Sequence, residues 1–258
     1  MPDSDPISLP RVVLKRHHRA MSGDEGGGSQ PQVFEDTDGR FWMVKAPNNP
    51  QNGQVLASEF VAASLGRTLS AAIPPAAICE LSAELVADVK FADGQPWAAG
   101  SGFGSELLQS SPPSYAAGTH EPITNCASAA AVVVIDTLLG SHDGRQARAC
   151  KDGEGWAVWA VDFGHDIGPG AWSRASLEAL ASPPALEDGH HWLSLATKEI
   201  MGELAETVSN ITNEDFAQIV GAIPAEWGPS DDDRVALVAH LVRRREAVVT
   251  LIRQRVDA

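Results

Sequence analysis

The sequence predicts an α+β fold, and three features of its patterning point that way. Short apolar runs broken by Gly, Pro and Asp-Gly fill the front half around one helical stretch. Helix-period runs dominate the back half, interrupted by one apolar hairpin. Strands and helices do not alternate at regular spacing, which argues against a doubly wound sheet. Of the 258 residues, 43% are hydrophobic, enough for a sizeable core.

Residues 1–10 read as a polar tail. Residues 11–19 join Val12, Val13 and Leu14 to a basic patch, Lys15, Arg16, His17, His18 and Arg19. This stretch reads as an edge strand. Its charges either meet a substrate or partner or form a solvated face that offsets local acid. A turn-rich loop follows over 23–31. Val33 and Phe34 then open a strand, Asp38-Gly39 turns, and Phe41-Trp-Met-Val-Lys45 returns, a hairpin signal. Residues 47–53 are a loop. Residues 54–70 place Leu56, Phe60, Ala63 and Leu65 on one helical face, which Pro74-Pro75 terminates.

Two or three short strands are expected within 77–91 and 101–108. A boundary between the two parts is expected near 109–120, around Pro112-Pro113. Residues 125–140 form a strongly apolar helix, 141–150 a polar loop, and 152–155 a turn. The run 156–161, Trp-Ala-Val-Trp-Ala-Val, is apolar on both faces and should be buried on both. The rest is helical: 177–181, 191–209, 213–222 and 232–256.

Lys and Arg total 19 against 34 Asp and Glu, a net charge of −15. That balance disfavours non-specific binding to nucleic acid or to an anionic membrane. Any anionic ligand needs a local positive pocket. Cys79, Cys126 and Cys150 are far apart and form no CxxC pair, so three free thiols in a reducing cytoplasm are expected. The first ten residues carry no secretory leader pattern. The apolar run 129–140 contains Asp136 and is too short to span a bilayer.

Four charged side chains and one loop stand out chemically. The glycines of 26–31 let backbone N–H groups approach an anion, although such a loop is equally an ordinary turn. Lys45 shares a strand face with Met43 and Phe41. It is either a solvent-exposed strand end or a buried ammonium that needs a partner, and Glu59, bordering the buried helix stripe, is the candidate. Asp143 follows the apolar helix in a polar loop. It is either a general base or half of an Asp-Gly turn. Asp162 ends the apolar strand in Asp-Phe-Gly, as a Mg²⁺ ligand or a strand-end turn. The order of these parts is the protein-kinase order: Gly loop, strand Lys, helix Glu, loop Asp, hairpin, Asp-Phe-Gly.

The sequence resembles the HipA-like kinases over roughly 23–251. The pieces that carry the likeness are Gly27-Gly-Ser-Gln-Pro31, Val44-Lys45, Leu56-Ala-Ser-Glu59, Phe103-Gly-Ser105, Ile135-Asp136, Val161-Asp-Phe-Gly-His165, Ile223-Pro-Ala-Glu-Trp227 and Leu241-Val-Arg-Arg-Arg245. The resemblance implies a bilobal protein-kinase-like fold. Residues 1–22 would be a tail and first strand, 23–112 a β-rich N-lobe and 113–258 a helical C-lobe. It implies ATP and Mg²⁺ as cofactors and a Ser or Thr hydroxyl on a protein as acceptor.

By the same resemblance, Lys45 holds phosphates and pairs with Glu59, while Gly27, Gly28 and Ser29 cover them. Glu106, Leu107 and Leu108 form the hinge facing adenine. Asp143 orients the acceptor hydroxyl, and Asp162 binds metal. Some relatives autophosphorylate in the loop that holds Ser29, and some work with an antitoxin-like or regulatory protein partner. One departure matters. The family carries an Asn five residues after the catalytic Asp for a second metal. Here that place holds Arg148, and Gln146 is the candidate to supply an amide oxygen to the metal beside Asp162. The alternative to an active kinase is therefore a nucleotide-binding pseudokinase or a regulatory interaction module without turnover.

Overall fold

The computed structural model describes residues 8–20, 27–108, 122–141, 146–167, 172–180 and 192–258. It is a mixed α and β structure. Strands β1 (Arg11–Ala20), β2 (Gln32–Asp36), β3 (Phe41–Lys45), β4 (Ala76–Leu81) and β5 (Gly100–Glu106) close into a barrel in the order β1-β2-β3-β5-β4. Parallel pairing of Arg11, Val12 and Val13 with Ile78, Cys79 and Glu80 makes the closure. β1 is therefore not the expected edge strand. Closure gives it a neighbour on each side and removes the unpaired edge.

The β2–β3 hairpin forms where Asp38-Gly39 predicts it, with Gly39 at φ 84°. Asp36 organises the turn. Its Oδ1 accepts the amides of Asp38 and Arg40 at 2.9 Å each, and its Oδ2 accepts the buried Trp42 indole N–H at 2.9 Å. These donors hold the Asp36 carboxyl below its ordinary pKa against the opposing effect of burial. The basic patch resolves the same way. Lys15 and His18 lie 2.9 Å from the Glu35 carboxylate and Arg16 joins them, so this patch neutralises a local acid. Inside the barrel, Val12, Leu14, Phe34, Trp42, Val44 and Trp97 form a compact core.

Helix α1 (Gln54–Thr68) is buried continuously from Val55 to Gly66, not along one face as its pattern suggests. It lies between β5 and helix α3 (Cys126–Leu139), with Trp227 against Phe60. A short helix α2 (Ala83–Val86) follows β4. α3 is apolar all round, as expected for a core element, and ends on Gly140 at φ 80°. Two-thirds of the larger core comes from α1, α3 and the helices that follow. Trp227 donates its indole N–H to the Ser101 carbonyl at 2.7 Å, which fastens these helices to the barrel.

Of the expected loop 141–150, residues 146–150 are strand. β6 (Gln146–Asp152) pairs antiparallel with β7 (Gly155–Val161). Gln146-Ala-Arg-Ala149 alternates over only four residues with small apolar side chains, too little to be read as a strand, and pairing with β7 decides it. β7 is also less enclosed than expected: Val158 and Ala160 are buried, whereas Trp156 and Trp159 are half-buried. The proposed boundary near 109–120 lies outside the described residues. Helices α4 (Arg174–Ala179), α5 (Lys198–Asn210), α6 (Asn213–Gly221) and α7 (Asp231–Asp257) follow. The α7 start is set by a capping box between Ser230 and Asp233, with three aspartates against the helix dipole. Among the described residues no helix is long and apolar enough to cross a membrane. The three cysteines are free thiols.

Candidate functional site

The barrel, α1 and the β6–β7 hairpin enclose a cleft of about 400 Å³. β3 delivers Lys45 to it. The side chain is 10% exposed, so its charge needs compensation. Two carboxylates supply it. Nζ pairs with Glu59 Oε1 from α1 and sits 2.9 Å from Asp162 Oδ1, just past β7. Burial alone lowers a lysine pKa. Here Glu59 and Asp162 outweigh it and hold Lys45 above the ordinary lysine value, so the ammonium stays charged.

Asp162 has φ 64°, a conformation that costs a non-glycine residue about 1–3 kcal/mol and persists where surrounding structure enforces it. That backbone turns the carboxylate back into the cleft. Its second oxygen accepts the Gln146 amide at 2.8 Å. Phe163 behind it is buried, and Gly164 is required because a Cβ there would sit 2.5 Å from Val55 Cγ1. Asp143 and His142 lie outside the described residues, in the connection between α3 and β6. The anchorage on its N-terminal side is described: Ser141 Oγ donates to Asp166 Oδ1 at 2.9 Å, and Arg244 donates to the Thr137 carbonyl at 3.1 Å.

The glycine loop divides in role. Gly27 (φ 54°) and the buried Ser29 line the cleft, whereas Gly28 packs against the Gln51 side-chain amide, which a Cβ there would displace. Two residues that the sequence reading treated only as loop hold this arrangement. Asn49 donates to the Ser29 carbonyl at 3.2 Å, and Gln51 Nε2 lies 3.0 Å from His165 Nε2, directly after Asp-Phe-Gly. The polar cluster Asn48-Asn-Pro-Gln-Asn52 was the available signal.

The expected hinge residues Glu106, Leu107 and Leu108 line the opposite wall. The Glu106 and Leu107 amides donate to the Pro75 and Phe41 carbonyls at 2.7 and 2.8 Å, which fixes the wall to the barrel. Met43, Ile73, Ala76, Phe103 and Ala160 make this end apolar. Arg148 stands where the family carries its Asn, and Gln146 is the expected substitute ligand; the structure brings Gln146 beside Asp162, with Arg148 two residues further along β6.

A lysine strand in a small barrel, its glutamate helix and an Asp-Phe-Gly segment behind a hairpin are the arrangement of a kinase-type phosphotransferase. The chain belongs to the HipA-like kinase family, whose profile matches residues 19–147. In shape it is similar to the crystal structure of a Helicobacter pylori proinflammatory kinase, CtkA, with a TM-score of 0.53 over 96% of this chain and 98% of the other. Identity between the two is 12%, so that likeness speaks to the fold. No curated protein matches the chain.

Proposed function

We propose that the chain is an ATP- and Mg²⁺-dependent kinase that phosphorylates a Ser or Thr hydroxyl of a protein in the cytoplasm. In this reading residues 23–112 and 113–258 act as the two lobes of a bilobal kinase, with 1–22 leading into the first. The observation that carries it is Lys45, charged, buried in the cleft and held between Glu59 and Asp162. A buried ion pair adds little net stability, so its use is to aim an ammonium at phosphate oxygens.

The donor set suits Mg²⁺, which is usually held by one or two carboxylates together with substrate phosphates. Asp162 would hold the ion, and the Gln146 amide, turned over, would offer its oxygen. When bound, Mg²⁺ would neutralise charge on the phosphate oxygens. Gly27 and Ser29 would cover the phosphates with backbone N–H groups. Glu106, Leu107 and Leu108 would flank adenine. Asp143 would take the acceptor's proton as the hydroxyl oxygen bonds to the γ-phosphorus and the bond to the bridging oxygen breaks.

The test is transfer from γ-labelled ATP with Mg²⁺ to protein acceptors. Wild type should label, and Asp143→Asn and Lys45→Ala should each lose on the order of 100-fold or more. Equal labelling in all three would remove the catalytic reading. A second reading, a nucleotide-binding pseudokinase or regulatory module with an antitoxin-like partner, is favoured by one observation: no Asn lies between Asp143 and Asp162. Stabilisation by ATP and Mg²⁺ that disappears in Lys45→Ala, without transfer, would support it.

A further inference from the structure

Lys45 and Arg148 are the two cationic side chains among the described residues that line the cleft, and they are differently placed. Lys45 has two carboxylate partners. Among the described residues the Arg148 guanidinium hydrogen-bonds only the carbonyl of Ala147, at 3.3 Å, and forms no ion pair. In a chain of net charge −15, a half-buried arginine lining a cleft without a carboxylate partner is in a place that a ligand completes.

The strand register says which part of a ligand. Gln146 pairs with Val161 and reaches Asp162. Arg148 pairs with Trp159, beside Ala160, whose amide donates to the Ala72 carbonyl at 2.7 Å behind Ile73 and Pro74. Two residues of strand separate the two positions by roughly 6.6 Å, and alternation puts both on one face. The neutral amide therefore stands at the carboxylate end of the cleft. The cation stands under the apolar end, which Leu107 and Leu108 also line. A guanidinium offers five N–H donors and a flat face that stacks on aromatic rings.

We infer that Arg148 is a nucleotide-contacting residue that lies beneath the base and sugar and acts independently of divalent metal. This rests on the nucleotide-binding reading above. Calorimetric titration of the full chain tests it with three probes: ADP with Mg²⁺, ADP with EDTA, and adenosine. Arg148→Ala should weaken all three by roughly tenfold. Gln146→Ala should weaken only the first. Unchanged affinities in Arg148→Ala, a loss confined to the Mg²⁺ arm, or a loss for ADP with adenosine unaffected would each overturn the inference. A folded wild type, verified by its melting transition, that binds none of the three would sink the nucleotide-binding reading itself and the inference with it.

Discussion

Lys45 Nζ lies 2.9 Å from Asp162 Oδ1, joining a barrel strand to the segment after β7 across 117 positions of sequence. The same ammonium pairs with Glu59. Removing one member of this set leaves a buried charge uncompensated. Lys45→Met is expected to cost about 3–5 kcal/mol by urea denaturation, and Lys45→Met with Glu59→Leu should recover most of that without restoring any phosphotransfer. A double variant no more stable than the single one would show that the pair itself holds the fold.

Acid should release the barrel at Glu35. Lys15, His18 and Arg16 hold its pKa at about 2, below the ordinary 4.5. The folded value is the lower one, so the stabilisation is complete above about pH 4.5 and is lost as pH falls towards 2. Glu35→Gln should flatten the denaturation curve in that window and leave its neutral limb parallel to wild type.

His240 gives a second acid limb in a different pH range. It is buried in α7, and burial followed by the Arg244 guanidinium lowers its pKa from 6.5 to about 4. The unfolded chain then binds more protons between those values, so stability falls as pH drops from 6.5 to 4. His240→Leu should remove that slope. A slope identical to wild type would assign the acid sensitivity elsewhere.

Gly104 and Cys79 should behave as a coupled pair. A Cβ on Gly104 would stand 2.3 Å from Cys79 Sγ inside the barrel. Gly104→Ala should cost about 1–3 kcal/mol through overpacking. Adding Cys79→Ala opens the space, so the double variant should be more stable than the sum of the single effects by roughly 1 kcal/mol. Strict additivity in urea denaturation would mean that the strands move apart instead.

Gln146 should set the metal requirement of phosphotransfer, because its amide is the neighbour of Asp162 at 2.8 Å. Gln146→Ala is expected to raise the Mg²⁺ concentration needed for half-maximal transfer severalfold, whereas Gln146→Asn should fall between the two. A Mg²⁺ dependence unchanged in Gln146→Ala would exclude the amide from the metal's surroundings.

Local patterning made much of the architecture legible. The hairpin at Asp38-Gly39, the helices 54–68 and 126–139 and the last helices follow from turn chemistry and apolar spacing. β6 was not legible, because the alternation in Gln-Ala-Arg-Ala-Cys-Lys-Asp spans only four residues and rests on alanine, and the strand takes its form from β7. Nor were the roles of Asn49 and Gln51, whose partners Ser29 and His165 are distant in sequence.

By itself the sequence determined the order of the charged candidates along the chain, Lys45, Glu59, Asp162, and left the surroundings of each open. Spacing along the chain could not decide what stands next to what. Closure of the barrel made β1 an interior strand, and the pairing of β6 with β7 brought Gln146 rather than Arg148 to the Asp162 carboxylate. The physical reason is that such neighbours are set by backbone hydrogen bonds between distant strands, and a shift of register changes every neighbour without changing a single residue.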